Sequence, residues 1–290
     1  MTILLDGKKV RDVLAERLSD KIRGFAEKPQ LAIIQIGKNN ESSTYIRQKK
    51  NFAEKIGAKI LHIELPDSVG QAELLHTIAE LNADASVHGI LVQMPIPASL
   101  DKDAVIEAIS PEKDVDGLQS KNIKMLWENR SQGFVPATTK GILSLLDFYK
   151  IDVAGKKVVV VGRSSLVGKP TALALLNRNA TVTLCHSKTE NLSQITKDAV
   201  ILIVAAGVPH LIGTDHVVSG QIVVDVGINL VDGTKLEDEL PERKLVGDVD
   251  FEKVKDVVTA ISPVPGGVGP MTVASLFENL VSAYEISMVK

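Results

Sequence analysis

The chain has 290 residues, 44% of them hydrophobic and 24% charged, with 33 basic against 36 acidic side chains and a net charge of -3. That balance excludes a disordered or collagen-like chain. With no basic excess and only 3% aromatic residues, it also speaks against a nucleic-acid binder. The longest apolar run, 199–206, is eight residues, whereas a membrane span needs roughly 18. The single cysteine, Cys185, can build neither an internal disulfide nor a cysteine zinc site, and no metal centre is expected. Met1-Thr2-Ile3-Leu4-Leu5-Asp6 turns polar too soon for a signal peptide. The expectation is a cytoplasmic enzyme of about two domains at roughly 150 residues each.

Short β-branched runs alternate with amphipathic stretches along the chain. A helix over Lys8 to Phe25 precedes a buried strand, Gln30 to Gly37, a helix, Ser42 to Ile56, and a second strand, Ala58 to Leu65. Gln71 to Asn82 reads as helix, His88 to Met94 as a third strand and Asp101 to Ile109 as another helix. Continuous apolar strands separated by helices imply parallel pairing with both sheet faces covered. The pattern weakens and turns polar over Lys121 to Gln132, and the domain boundary is placed there, before Pro136. Thr138 or Thr139 then caps a helix running to about Tyr149. A second series comes next: strand Lys157 to Gly162, helix Val167 to Arg178, and strands Thr181 to Cys185, Val200 to Ala205 and Ile222 to Val226, with a last long helix after Pro270. The fold class is α/β: residues 1–135 form a first α/β domain, and 136–270 a Rossmann-like doubly wound parallel sheet. Small-molecule sites favour the cleft between two such domains.

Val158-Val159-Val160-Val161-Gly162-Arg163-Ser164-Ser165-Leu166-Val167-Gly168-Lys169-Pro170 is a strand, a glycine turn and a helix start. That context suits a phosphate, because backbone N–H groups and the positive helix end face one point. The spacing speaks against a P-loop: five residues, not four, separate Gly162 from Gly168, and Pro170 stands where a magnesium-binding hydroxyl is needed. The G-x-G-x-x-G of dinucleotide folds is absent as well. The next strand ends in Cys185-His186-Ser187-Lys188, with no acid for ribose hydroxyls. Arg163, Ser187 and Lys188 could meet a 2′-phosphate, which favours NADP over NAD; the alternative is that Arg163 and Lys188 are solvated loop charges. Ala205-Ala206-Gly207 and Asp225-Val226-Gly227-Ile228-Asn229 carry small residues where a cofactor must approach closely.

In the first domain, Tyr45, Lys49, Phe52 and Ile56 fall within about 60° of one another at 100° per residue, while Arg47, Lys50 and Glu54 take the opposite side. Burial lowers a lysine pKa, which suits acid–base work near neutrality; the alternative is a snorkelling stem. The Tyr45-x-x-x-Lys49 spacing matches short-chain dehydrogenases, but here it precedes the nucleotide turn, so that relation fails. Three further segments are candidates for a ligand or for mere turns: Gln93-Met94-Pro95-Ile96-Pro97, Pro111-Glu112-Lys113-Asp114-Val115-Asp116-Gly117 with its two carboxylates, and Ser262-Pro263-Val264-Pro265-Gly266-Gly267-Val268-Gly269-Pro270-Met271-Thr272.

Taken in order, these motifs resemble the bifunctional methylenetetrahydrofolate dehydrogenase/cyclohydrolase family, over nearly the whole chain. The resemblance implies NADP-dependent oxidation of 5,10-methylenetetrahydrofolate to the methenyl form, then hydrolysis to 10-formyltetrahydrofolate, a one-carbon step that feeds purine biosynthesis. It implies Lys49 as the key catalytic group, Gln93 as its assistant and Tyr45 stacked on the folate. Asp116 would hold the pterin, with Pro265, Gly266 and Gly267 bordering it. The implied NADP set is Gly162, Arg163, Ser164, Ser165, Gly168, His186, Ser187 and Ile228. It further implies tetrahydrofolate substrates, no nucleic-acid or membrane partner, a homodimer paired through nucleotide domains, and a C-terminal helix, 271–290, that returns to the first domain. One departure is visible: many members carry Pro after the threonine matching Thr138, where this chain has Thr139, a change expected to loosen one hinge. A dehydrogenase lacking the hydrolase step and a non-catalytic NADP-binding module are the alternatives; an amino-acid dehydrogenase explains only the second domain.

Overall fold

The computed structural model describes residues 2–37, 40–232 and 243–289. In chain order, β1 (Ile3–Leu4) leads into α1 (Gly7–Arg23), β2 (Gln30–Ile36), α2 (Asn40–Ile56), β3 (Lys59–Leu65), α3 (Gln71–Ala83), β4 (Gly89–Val92) and α4 (Lys102–Ala108). Then come α5 (Ser120–Trp127), α6 (Ala137–Phe148), β5 (Lys157–Val161), α7 (Gly168–Asn177), β6 (Thr181–Cys185), α8 (Leu192–Lys197), β7 (Ile201–Val204) and β8 (Ile222–Asp225). The last elements are β9 (Asn229–Asp232), β10 (Arg243–Val246), α9 (Phe251–Val254), β11 (Ala260–Ile261) and α10 (Val268–Val289). The chain divides into two compact units, each built from two separate stretches. One comprises Asp12–Ala137 and Val273–Lys290, the other Met1–Arg11 and Thr138–Thr272.

The first unit holds a three-stranded parallel sheet, β3-β2-β4. Side chains alternate across β2. Ala32, Ile34 and Ile36 pack into one core with Leu74, Ile78 and Leu81 of α3 and Val105 of α4. Leu31 and Ile33, also fully buried, face the other way. Elsewhere in the unit, Phe52 of α2 meets Phe277 of α10 at 5.3 Å between ring centroids. Full burial of such side chains is worth about 1.5–3 kcal/mol each. Asn279 of α10 donates to the carbonyls of Val115 and Val135, at 2.9 and 3.0 Å, so the C-terminal helix fastens the segments that lead out of this unit's last strand.

The second unit holds a six-stranded parallel sheet, β1-β11-β8-β7-β5-β6. β5 pairs with β6 on one side and β7 on the other. The connections after β5 and β6 therefore leave in opposite directions and open a crevice at the carboxyl ends, the topological switch point where open α/β sheets take ligands. A separate antiparallel pair, β9-β10, lies outside this sheet.

Four features differ from what the sequence alone predicts. Residues 1–11 cluster with the six-stranded unit, because Ile3 and Leu4 pair in parallel with Ala260 and Ile261. Residues 120–127 form α5 although their pattern is polar: its buried positions include Asn122, whose amide donates to Asp114 and Pro111 and accepts from Phe134 N–H. α6 begins at Ala137, so Thr138 and Thr139 lie inside its first turn rather than capping it. α10 starts at Val268, with Pro270 in the first turn, where its missing N–H has no helical partner to lose. Thr139 is fully buried, and its Oγ1 lies 3.0 Å from Thr171 Oγ1 on α7. Thr139 thus provides one half of a hydroxyl pair joining two helices of one unit.

Candidate active site

Lys49 lies on the half-buried face of α2, while Arg47, Lys50 and Glu54 are exposed, as the helical period requires. Its ammonium donates to Gln93 Oε1 at 2.9 Å. Gln93 follows directly on β4, fixed by its own N–H to the Ile34 carbonyl, and its Nε2 donates to the Met94 carbonyl at 2.8 Å. That second bond decides which end of the amide faces the lysine. Lys49 Nζ also lies 5.9 Å from the centre of the Tyr45 ring, one helical turn earlier.

Asp116 comes from the turn after α4. Asp114, 1% exposed, organises that turn by accepting from Gly117 N–H at 3.1 Å, Gln119 N–H at 2.8 Å and Asn122 Nδ2 at 2.9 Å. Gly117 has φ +73°, and a Cβ there would stand 2.8 Å from Pro136 N, so only glycine fits. The two carboxylates of the motif therefore have separate jobs. Asp114 is satisfied by two backbone N–H groups and the Asn122 amide, whereas among the described residues Asp116 makes no side-chain hydrogen bond.

Burial lowers the Lys49 pKa to about 8, against the opposing charge of Asp116. Burial, with the charge of Asp114 behind it, raises Asp116 to about 6, and Lys49 pulls it back. A base and an acid thus sit in one region with their pKa values moved toward each other, as sites of proton transfer require. Lys49, Gln93, Tyr45 and Asp116 all belong to the three-stranded unit.

The nucleotide-type residues belong to the six-stranded unit. Gly162 ends β5 with φ +121°, and a Cβ on it would meet the Ala205 carbonyl oxygen at 2.0 Å. A Cβ on Gly168 would meet the Gly162 carbonyl oxygen at 1.9 Å, so the turn closes on itself at the start of α7. Ser164 Oγ accepts from the N–H groups of Val167 and Gly168, at 3.2 and 3.4 Å. Arg163, Ser165, Ser187 and Lys188 are exposed, and His186 Nδ1 accepts from Lys188 N–H at 3.1 Å. Ile228, beyond β8, is 43% exposed. This geometry fits a dinucleotide with a 2′-phosphate: a turn bounded by two glycines at a helix N-terminus, Arg163 after β5, Ser187 and Lys188 at the tip of β6, and no acid among 185–188. Pro265, Gly266 and Gly267 lie in this unit too. Gly7 N–H donates to the Gly266 carbonyl at 2.9 Å, and a Cβ on Gly7 would stand 1.8 Å from the Gly267 oxygen, so the N-terminal segment clasps that loop. Among the described residues no group of three His, Cys, Asp or Glu side chains could hold a metal ion.

The residue pattern by itself did not separate the roles of Asp114 and Asp116; the resemblance alone singled out Asp116. The signal lay just downstream, where Gly117, Gln119 and Asn122 supply the donors of a carboxylate-centred turn.

Comparison with known proteins places both halves in one family. Residues 5–116 match the model for the tetrahydrofolate dehydrogenase/cyclohydrolase catalytic domain, and 136–288 that for its NAD(P)-binding domain. The chain is 47% identical over 286 residues to the bifunctional protein FolD of Lacticaseibacillus casei, covering 97% of each. It is similar to the crystal structure of the bifunctional FolD methylenetetrahydrofolate dehydrogenase/cyclohydrolase of Campylobacter jejuni, with TM-score 0.92, 44% identity and 99% of each chain covered. It is also similar to the Trypanosoma brucei methylenetetrahydrofolate dehydrogenase-cyclohydrolase complexed with NADP and an inhibitor, with TM-score 0.93, 34% identity, and 100% of this chain and 99% of that one covered.

Proposed function

The chain belongs to the tetrahydrofolate dehydrogenase/cyclohydrolase family, and from that premise we propose how its own residues carry out the two reactions. It is a bifunctional enzyme: it oxidises 5,10-methylenetetrahydrofolate to the methenyl form with NADP, then hydrolyses that product to 10-formyltetrahydrofolate. The observation that carries the residue assignment is the Lys49–Gln93 bridge, beside a carboxylate left free of protein donors.

A pterin edge presents adjacent N–H donors, and one carboxylate accepts two of them; Asp116 takes that role. Tyr45 offers its ring face to the folate. NADP, when bound, supplies the acceptor for the hydride that leaves the methylene bridge. Loss of that hydride generates a delocalised cation and needs no strong base, so positioning dominates the oxidation. Gly162, Ser164, Ser165 and Gly168 would hold the pyrophosphate, Arg163 and Ser187 the 2′-phosphate, and His186 and Ile228 would complete the cofactor site.

Hydrolysis asks more of the protein. Water attacks the cationic carbon and gives up a proton, and the addition product then collapses to the formyl group as one C–N bond breaks. Lys49 in its neutral form accepts the first water proton and returns it to the departing nitrogen, and the remaining hydroxyl proton passes to solvent as the carbonyl forms, with Gln93 Oε1 orienting the amine. A permanently charged ammonium would repel the cation, which is why the pKa near 8 matters.

The protein is further proposed to be a cytoplasmic homodimer that supplies one-carbon units for purine biosynthesis; light scattering tests the dimer. The central test supplies methylenetetrahydrofolate with NADP and follows methenyl product and reduced cofactor at separate wavelengths. Reduced cofactor with only transient methenyl supports both activities. Methenyl that decays no faster than without enzyme removes the hydrolase role from Lys49, and no reduction at all overturns the reading.

A further inference from the structure

We propose that Asp248 is a positioning residue for NADP, the post to which both strand-end loops of the cofactor crevice are tied. The proposal rests on the cofactor assignment above but adds a residue outside that set. Asp248 is wholly buried. Its Oδ2 accepts from Ala206 N–H at 2.6 Å and Gly207 N–H at 2.9 Å; its Oδ1 accepts from Val208 N–H and Asn229 Nδ2, both at 2.9 Å. Three consecutive amides of the loop after β7 therefore converge on one side chain.

The two loops it joins meet the cofactor residues directly. Ala205, next to the first of those amides, is the residue whose carbonyl forbids a Cβ on Gly162. Asn229, the first residue of β9 at the end of the other loop, is the neighbour of Ile228. On the far side of Ile228, Gly227 N–H donates to Asp225 Oδ1 at 3.0 Å. Asp225 also accepts from the N–H groups of Asp248 and Val249, at 3.1 and 2.9 Å, and so fixes the backbone that carries Asp248. The packing leaves no slack: a Cβ on Gly227 would lie 2.2 Å from the Asp248 carboxylate, and one on Gly247 would lie 1.9 Å from Asp225 Oδ2.

An anion that accepts four donors in a dry site holds them more firmly than water could. A loop that contacts a dinucleotide through its backbone is set by such an anchor, because small displacements of contacting groups are costly. Any group at Asp248 that presents a donor in place of an acceptor faces either Ala206 and Gly207 or Val208 and Asn229, and releases one pair.

The second activity supplies the control, since hydrolysis of added methenyltetrahydrofolate consumes no NADP. Asp248→Asn is expected to raise the KM and Kd for NADP about tenfold, while kcat at saturating NADP and the hydrolysis rate stay near those of the parent. Asn229→Ala removes one of the four donors and is expected to raise the same constants about threefold. An unchanged NADP constant in folded Asp248→Asn overturns the proposal. So does a parallel fall of both activities, which marks general disruption of the unit. If Asp248→Asn does not fold, Asn229→Ala decides by the same two outcomes. Failure of the parent enzyme to bind or reduce NADP is a different result: it refutes the cofactor assignment itself.

Discussion

Lys49 and Gln93 form a directed pair: the lysine donates to Oε1, while the same amide spends its Nε2 on the Met94 carbonyl. The direction matters because glutamine can then only accept from the lysine. It supports the charged amine before the proton is lost and the neutral amine afterwards, without competing for the amine's lone pair.

Lys49→Met keeps the apolar stem and deletes the amine. Hydrolysis of methenyltetrahydrofolate should fall by at least about a hundredfold, the usual share of one acid–base group, with NADP affinity unchanged. Stopped assays on purified methenyl substrate check this, and hydrolysis near the parent rate would remove Lys49 from the mechanism.

Hydrolysis should also depend on pH in a stated direction. Lys49 acts neutral, so the rate rises as pH climbs through about 8; below about 6, Asp116 is protonated and folate binding weakens. The same values bear on stability. With its folded pKa below the ordinary 10.5, Lys49 destabilises the fold while it is charged, and that cost is relieved as pH rises from about 8 toward 10.5. Lys49→Met should therefore melt higher than the parent at pH 7, with the gap closing by pH 10.5; a constant gap would contradict the shifted lysine.

Asp114→Ala strands three donors, from Gly117, Gln119 and Asn122, in a buried turn. The expected loss is about 3 kcal/mol of stability. Both activities should suffer through a raised folate KM, because Asp116 rides on that turn. Urea titration and folate kinetics report the two effects separately.

Gly162→Ala meets two objections at once: a left-handed φ and a carbonyl at 2.0 Å. NADP binding should drop by more than about tenfold with a stability cost of about 1–3 kcal/mol. Calorimetric titration that finds parental NADP affinity would show that the turn does not carry the dinucleotide.

Thr139→Val leaves the Thr171 hydroxyl alone in a buried contact between α6 and α7. A loss of about 1–2 kcal/mol is expected in denaturant unfolding, with kinetic constants unchanged.

The legible parts of this molecule are those whose physics is local. The period of α2 separates Lys49 from Arg47 and Lys50 before any coordinates exist, and the glycine turn after β5 announces a helix start. The seven strands β2 to β8 lie within a residue or two of their expected ends, since continuous β-branched runs dictate them. Elements held by distant partners were not legible. β1 is two residues long and is a strand only because β11 exists. α5 buries an asparagine whose partners lie in other segments. Asp248 looks like one more loop acid, because its four donors come from residues 206–208 and 229.

The interleaving of the two units has a consequence for biogenesis. β1 is synthesised long before its partner β11, and the three-stranded unit waits for residues 273–290 to supply Phe277 and Asn279. Each unit closes only after its second stretch has been made, 138–272 for the six-stranded sheet and 273–290 for the three-stranded one. Until then, the nascent chain carries an unpaired sheet edge and an uncovered apolar surface, the condition in which chaperones find their clients.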